Sequence, residues 1–304
     1  MSRESRLRPI SGDKFMYKRI ISMAPSNTEI LYALGAQDRL VAVTRYCDFP
    51  EEANNNPRIG GWLDINDELV KSYNPDLVLT STFVQSKITS RYKKNKMNIV
   101  ALMPTTLNGV FDSILKIGKL VEKEKEANLL INSMRNKFNE MQYKIKNINE
   151  RNTIKNNYSK TKSFLSSQKS EGFFRTLNKN NKTHKNQRFL GHQKSHAFFS
   201  EINNNNKPKV YIEEWHKPPT VSGNWVPSLV KIAGGNYSLI KAGVHSKEVT
   251  TKQIQAYDPE IIIVSICGMA DKAPKEWITK REGWENLSAV KNNKVYVFDD
   301  SLLN

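Results

Sequence analysis

Lys18-Arg-Ile-Ile-Ser-Met-Ala-Pro-Ser-Asn-Thr-Glu-Ile-Leu-Tyr-Ala-Leu-Gly35 decides the fold. Its first six residues hold a β-branched pair and read as a strand. Ser26-Asn-Thr-Glu then opens a helix that runs through Leu34 and stops at Gly35. Ser26 or Asn27 is the predicted cap, accepting a free backbone N–H of the first turn. A strand that feeds straight into a helix is the first half of a βαβ unit.

The alternation continues on the C-terminal side. Leu40-Val-Ala-Val-Thr is a second strand, Asn66-Asp-Glu-Leu-Val starts a helix ended by Asn74-Pro75, and Asp76-Leu-Val-Leu-Thr and Asn98-Ile-Val-Ala-Leu are two further strands. Strands spaced by helices of this length imply right-handed crossovers and a parallel sheet. After Pro104 come helical patterns over Leu107–Val121 and Glu122–Lys146. The second sets Ala127, Leu130, Ile131, Met134, Phe138 and Met141 on one apolar stripe. About 25 residues at 1.5 Å each reach about 38 Å, enough for a rigid strut between two lobes.

Past residue 207 the pattern returns. Pro208-Lys-Val-Tyr-Ile-Glu is a strand, and Asn224-Trp-Val-Pro leads into a helix stopped at Gly234-Gly235. Thr251–Tyr257 is a short helix and Glu260-Ile-Ile-Ile-Val-Ser a buried strand. Trp284–Val290 is a last helix and Lys294-Val-Tyr-Val-Phe a last strand. The predicted fold is α/β, two Rossmann-like lobes with parallel sheets joined by a long rigid helix. Residues 1–17 form a tail, 18–106 the N-terminal lobe, 107–147 the helices with the strut, 148–207 an insertion and 208–304 the C-terminal lobe.

Charge is concentrated in the insertion. Of the formal +17, about +10 lies between Arg151 and Lys207, where twelve Lys or Arg face Glu171 and Glu201. The segment is rich in Asn, Lys and Ser and has no sustained apolar period, so disorder is expected. A nucleic-acid partner is therefore not expected for the fold and is left open only for this insertion. No run approaches the length of a membrane helix, and no secretory signal or lipid-attachment Cys precedes Ile20. The protein as written reads as cytoplasmic, and as extracytoplasmic if the true start lies upstream. Cys47 and Cys267 are too few for a disulfide framework.

Several segments, in order, resemble the cobalamin-binding branch of the class III periplasmic (solute) binding proteins, the family of cobalamin and iron-chelate binders. They are Ile21-Ser-Met-Ala-Pro-Ser-Asn-Thr-Glu-Ile, Val43-Thr-Arg-Tyr-Cys-Asp-Phe-Pro, Ile59-Gly-Gly-Trp-Leu-Asp-Ile-Asn and Asn74-Pro-Asp-Leu-Val-Leu. Glu213-Glu-Trp-His-Lys-Pro-Pro-Thr-Val-Ser-Gly-Asn-Trp-Val-Pro, Ala256-Tyr-Asp-Pro-Glu-Ile-Ile-Ile-Val and Gly283-Trp-Glu-Asn-Leu-Ser-Ala-Val-Lys follow. The resemblance implies a ligand cleft between the lobes and a monomer that captures one corrinoid, cobalamin-like and bound as ligand rather than cofactor. It implies Tyr46 and Trp62 on the first-lobe ligand loops, and Trp215, Pro218, Pro219, Asn224 and Trp225 on the second-lobe loop. Ser26, Asn27, Asp48 and His245 complete the predicted ligand set. Trp225 divides evenly between ligand contact and packing.

A corrin ring is flat and edged with amides, so aromatic walls and polar groups suit it. His216 and His245 invite a metal reading, but the first lobe contains no histidine, so no metal set is expected. A single axial histidine on cobalt stays open, but these histidines read as solvated or hydrogen-bonded, and Cys47 as a small apolar-like loop residue. No Ser/His/Asp order, Gly-rich phosphate loop or paired carboxylates appear, and no enzyme is expected. Haem or iron–siderophore binding is the alternative, left open by Arg45 beside Tyr46. Family members that dock onto an ABC importer permease use an exposed Glu on each lobe. Glu68 falls on the first position, while the second holds Lys252, with Glu248 nearby. A third ring-contacting aromatic of the family is replaced by Ser81, and the family's terminal helix has no counterpart before Asn304.

Overall fold

The computed structural model describes residues 16–81, 85–167 and 207–303, with 149 and 152–167 described by backbone alone. The chain divides into two compact units, Met1–Asn136 and Lys137–Asn304.

The first unit is built on four parallel strands, β1 (Ile20–Ser22), β2 (Leu40–Val43), β3 (Leu77–Ser81) and β4 (Ile99–Leu102), in the order β2-β1-β3-β4. Ile21 sits opposite both Ala42 and Val78, and Leu79 opposite Val100. Every residue of β1 and β3 is buried, as befits central strands covered on both faces. Helices α1 (Pro25–Ala33), α2 (Asp67–Ser72) and α3 (Ser86–Lys94) supply the three crossovers, and α4 (Leu107–Leu120) follows the last strand. Ile21, Met23, Ile59, Val70, Val78, Ile88 and Tyr92 pack as one core cluster.

One sequence expectation fails at α1. Its cap is Ala24, with no side-chain bond, and Pro25 fills the first turn. Proline there needs no N–H and arrives with a helical φ, so neither Ser26 nor Asn27 caps the helix. At α2, expected to start at Asn66, that residue is the cap: it accepts from the Leu69 N–H at 3.0 Å.

Helix α5 (Glu124–Ser167) has 44 residues, about 66 Å at 1.5 Å per residue. The stripe from Ala127 to Met141 is buried or half-buried, while Leu129 and Tyr143 stand exposed. The helix also corrects the expectation that disorder begins at Arg151. It contains no Gly or Pro, and each residue added to a formed helix gains a hydrogen bond without a new nucleation cost. The rest of the predicted insertion, 168–206, lies outside the described residues.

The second unit holds β5 (Val210–Trp215), β6 (Thr220–Val221), β7 (Lys247–Glu248), β8 (Ile261–Val264) and β9 (Val295–Val297), ordered β7-β6-β5-β8-β9. β5, β8 and β9 are parallel, and β6 and β7 join antiparallel. The sheet is therefore parallel in its main part and mixed at one edge. Four residues link β5 to β6, too few for a crossover, so the chain turns back as a hairpin. Around it lie α6 (Val226–Ile232), α7 (Thr251–Tyr257), α8 (Glu276–Thr279) and α9 (Ser288–Lys291). α7 matches its expected span because Thr250 and Gln253 form a reciprocal capping box. The helix expected from Trp284 contracts to α9, since Asp258 accepts from the Ser288 N–H (2.8 Å) and Oγ (2.7 Å) and fixes the start there. Trp284 is fully buried, edge-on to Tyr211 at 5.5 Å.

Candidate functional site

In α/β sheets, ligands are met beyond the carboxyl ends of parallel strands. In the first unit that position belongs to residues 44–48 after β2 and to 60–65. Arg58 secures the first loop, its Nη1 donating to the carbonyls of Thr44 (2.8 Å) and Cys47 (2.7 Å) and its Nη2 to Asn54 Oδ1 (2.9 Å). Cys47 points inward and is fully buried, and burial pushes its thiol up. Its neighbours Tyr46 and Asp48 are exposed, Tyr46 at 43%. Tyr46 and half-buried Trp62 bring their rings to 6.2 Å, tilted by 48°.

Three contacts join the two loops or brace the second. The Arg45 N–H donates to Gly60 O at 2.8 Å, the Gly61 N–H donates to Asp64 Oδ1 at 3.1 Å, and the Arg45 guanidinium pairs with Asp64 Oδ2. Gly60 is required by this packing, and Gly61 leaves room for the Asp64 carboxylate. Gly60 has φ of +119°, and a Cβ on either glycine would collide with Asp64, at its carbonyl for Gly60 and at its carboxylate for Gly61. Asp64 is thus engaged by its own loop and by Arg45.

Ser26 is exposed at the start of α1. Asn27 is buried, and among the described residues its Nδ2 has no hydrogen-bond partner. Ser81 is buried at the end of β3, its N–H donating to Gln85 Oε1 (3.0 Å), while Gln85 Nε2 donates to Met23 O (2.7 Å). Met103, just past β4, is 55% exposed at the same strand ends. It went unnoticed in the sequence, although its place one residue after an apolar run could have marked it.

In the second unit β5 delivers Trp215, 52% exposed, with Nε1 donating to Lys217 O at 3.2 Å. Pro218 is exposed and Pro219 half-buried. Glu214 accepts from Ser222 Oγ (2.8 Å) and Ser246 Oγ (2.6 Å), and Ser246 Oγ accepts from the Gly223 N–H (3.0 Å). Asn224 has φ of +52°, and its Oδ1 lies 3.2 Å from Nδ1 of exposed His245. Trp225 is half-buried against the core, and its Nε1 donates to Leu303 O at 3.0 Å.

Beneath Trp215 lies a polar cluster that sequence reasoning missed. Glu213 is fully buried and receives both Arg281 nitrogens, Nη1 at 2.6 Å and Nη2 at 2.7 Å, and the Tyr211 hydroxyl at 2.9 Å. Arg281 also caps the Trp284 ring at 4.3 Å. His216 stacks on Trp277 at 4.1 Å, and its Nδ1 accepts from Arg281 Nη2 at 2.7 Å. Burial lowers the His216 pKa, and the Arg281 and Lys217 charges act the same way against Glu213. His216 is therefore a hydrogen-bonded residue of this cluster.

Glu68 is exposed in the first turn of α2 and bonds Lys71 at 2.9 Å. Lys252 is exposed in the first turn of α7, and Glu248 exposed in β7. Among the described residues no group of three or more His, Cys, Asp or Glu is placed to hold a metal. Nor is any described helix long and apolar enough to cross a membrane.

Two α/β units, each with exposed aromatic loops at the carboxyl ends of parallel strands, have the form of a solute-binding protein. The chain belongs to the periplasmic binding protein family, which it matches over residues 20–163 and 175–302. It is 34% identical over 137 residues to an uncharacterized ABC transporter substrate-binding lipoprotein of Bacillus subtilis, covering 44% of this chain and 43% of that one. It is 45% identical over 62 residues to a vitamin B12-binding protein of Yersinia pestis, covering 20% and 22%. The chain thus spans less than half the length of these relatives. In fold it is similar to a periplasmic heme binding protein from Pseudomonas aeruginosa, with a TM-score of 0.68, 14% identity and coverage of 95% and 86%. The cytoplasmic reading of the sequence finds no support in this company, which is periplasmic or lipoprotein in kind.

Proposed function

We propose that this chain binds a corrinoid on its exposed aromatic loops, as the substrate-binding component of ABC-type uptake outside the cytoplasm. The observation that carries the reading is the tilted Tyr46–Trp62 pair, held open at the strand ends by contacts that leave both rings accessible. A planar macrocycle buries a large apolar face on such rings, and the loop polar groups meet its amides. Trp215 offers a comparable surface in the second unit. The 45% identity to a vitamin B12-binding protein over 62 residues supports the same ligand class. Glu68, exposed and charged, is the proposed permease contact on the first unit.

One observation favours haem instead. Met103 and Tyr46 are exposed in the same unit, and both thioether and phenolate ligate haem iron. Absorbance titration of the purified chain with cobalamin, haem and a ferric siderophore separates the readings. Saturable 1:1 binding of cobalamin is expected. Binding of haem alone, with a Soret shift lost in Met103→Ala, replaces the corrinoid reading by the haem one.

A further inference from the structure

We propose that Asp64 sets the charge selectivity of the first unit's strand ends. It holds Arg45 in a compensated pair, so that a chelate with a neutral amide edge is preferred to one carrying carboxylates. The inference rests on the corrinoid reading above. Within residues 44–48 and 60–65, Arg45 is the one cation, and it stands next to Tyr46. An anionic chelate lying on the Tyr46–Trp62 rings would seek that guanidinium, because a planar fork of N–H donors matches a carboxylate. Asp64 Oδ2 already compensates its charge through Nη2. Asp48, exposed in the same loop, leaves the two loops with a net negative charge. The neighbouring Arg58 is committed to the carbonyls of Thr44 and Cys47 and to Asn54.

The pair is built into the backbone. The Gly61 N–H fixes the other Asp64 oxygen, and any Cβ at Gly61 would displace the carboxylate. Both partners are more than half exposed, 54% and 63%, so the pair adds little to stability. Its effect lies in the local potential, and that separates it from the fold.

The test uses the full chain as wild type, Asp64→Asn and Arg45→Gln/Asp64→Asn, with dissociation constants for cyanocobalamin and for haem measured at low and high salt. Asn keeps an acceptor for the Gly61 N–H while removing the charge. Asp64→Asn should shift the preference toward haem by about fivefold, the worth of a unit charge at roughly 4 Å in water. High salt should shrink that shift. The double variant should return the ratio to the wild-type value. An unchanged ratio, equal loss of both ligands in Asp64→Asn, or a shift that the double variant does not reverse overturns the proposal. So does a wild type that prefers haem. A wild type that binds neither chelate overturns the corrinoid reading itself, and the selectivity with it.

Discussion

Replacing Arg281 by Leu should be strongly destabilising to the second unit. The Glu213 side chain has no exposure and that of Arg281 only 13%, so the variant strands a carboxylate away from water. Removing one partner of a buried pair costs about 3–5 kcal/mol. Loss of the guanidinium from the Trp284 face adds about 0.5–1 kcal/mol. The Tyr211 hydroxyl, still 2.9 Å from Glu213, offsets about 1 kcal/mol. The net is about 3–5 kcal/mol, or a urea midpoint lowered by roughly 1.5–2.5 M at a slope near 2 kcal/mol/M. Tryptophan fluorescence during urea unfolding reads the effect well, since Trp215, Trp225, Trp277 and Trp284 all lie in this unit. Glu213→Gln/Arg281→Leu should recover a large part, because no buried charge remains. A midpoint within about 0.5 M of wild type in Arg281→Leu, or a double variant weaker than the single, would refute the assignment of this pair as a buried charge anchor.

Three further outcomes follow from the same structure. Trp62→Ala and Trp215→Ala should each weaken chelate binding by about 1–3 kcal/mol with little change in unfolding midpoint, checked by calorimetric titration beside thermal melts. Gly60→Ala should destabilise by about 1–3 kcal/mol, since its backbone has φ of +119° and a Cβ would meet the Asp64 carbonyl, and the same melts would show if the loop accepts a methyl group freely. His216 has its folded pKa below its unfolded value of about 6.5, so the unfolded chain binds more protons on acidification. Its contribution is full above about pH 6.5 and is lost as pH falls below it, a slope that His216→Gln should flatten in urea titrations at stepped pH.

The parts of the fold legible in the sequence are those whose cause is local. Ile20–Ser22, Leu77–Ser81 and Ile261–Val264 are apolar runs buried on both faces, and α7 carries its own capping box. β6 and β7 hold two residues each, too short for any alternation to register, so the mixed sheet edge was invisible. The end of α5 was misjudged because composition reports what a segment can bury, not what an adjoining helix can propagate. Within the site, Tyr46 and Trp62 are exposed or half-buried on loops, while exposed Trp215 ends β5 rather than lying on the loop expected for it. What it could not supply were the long-range partners. Arg45 and Asp64 are 19 residues apart, and Glu213 and Arg281 are 68 apart. No window of sequence joins them, and only the fold decides that Arg45 is paired.

The brevity of β7 has a consequence for how this chain behaves in company. A long, flat, apolar sheet edge is a template onto which another chain can add a strand. Here the β6 side of the sheet ends in Lys247 and Glu248, both exposed. Two charged residues give an incoming strand almost no ladder to continue and oblige it to accommodate two charges. The hairpin that interrupts the parallel order thus also ends it, leaving a margin poorly suited to strand addition.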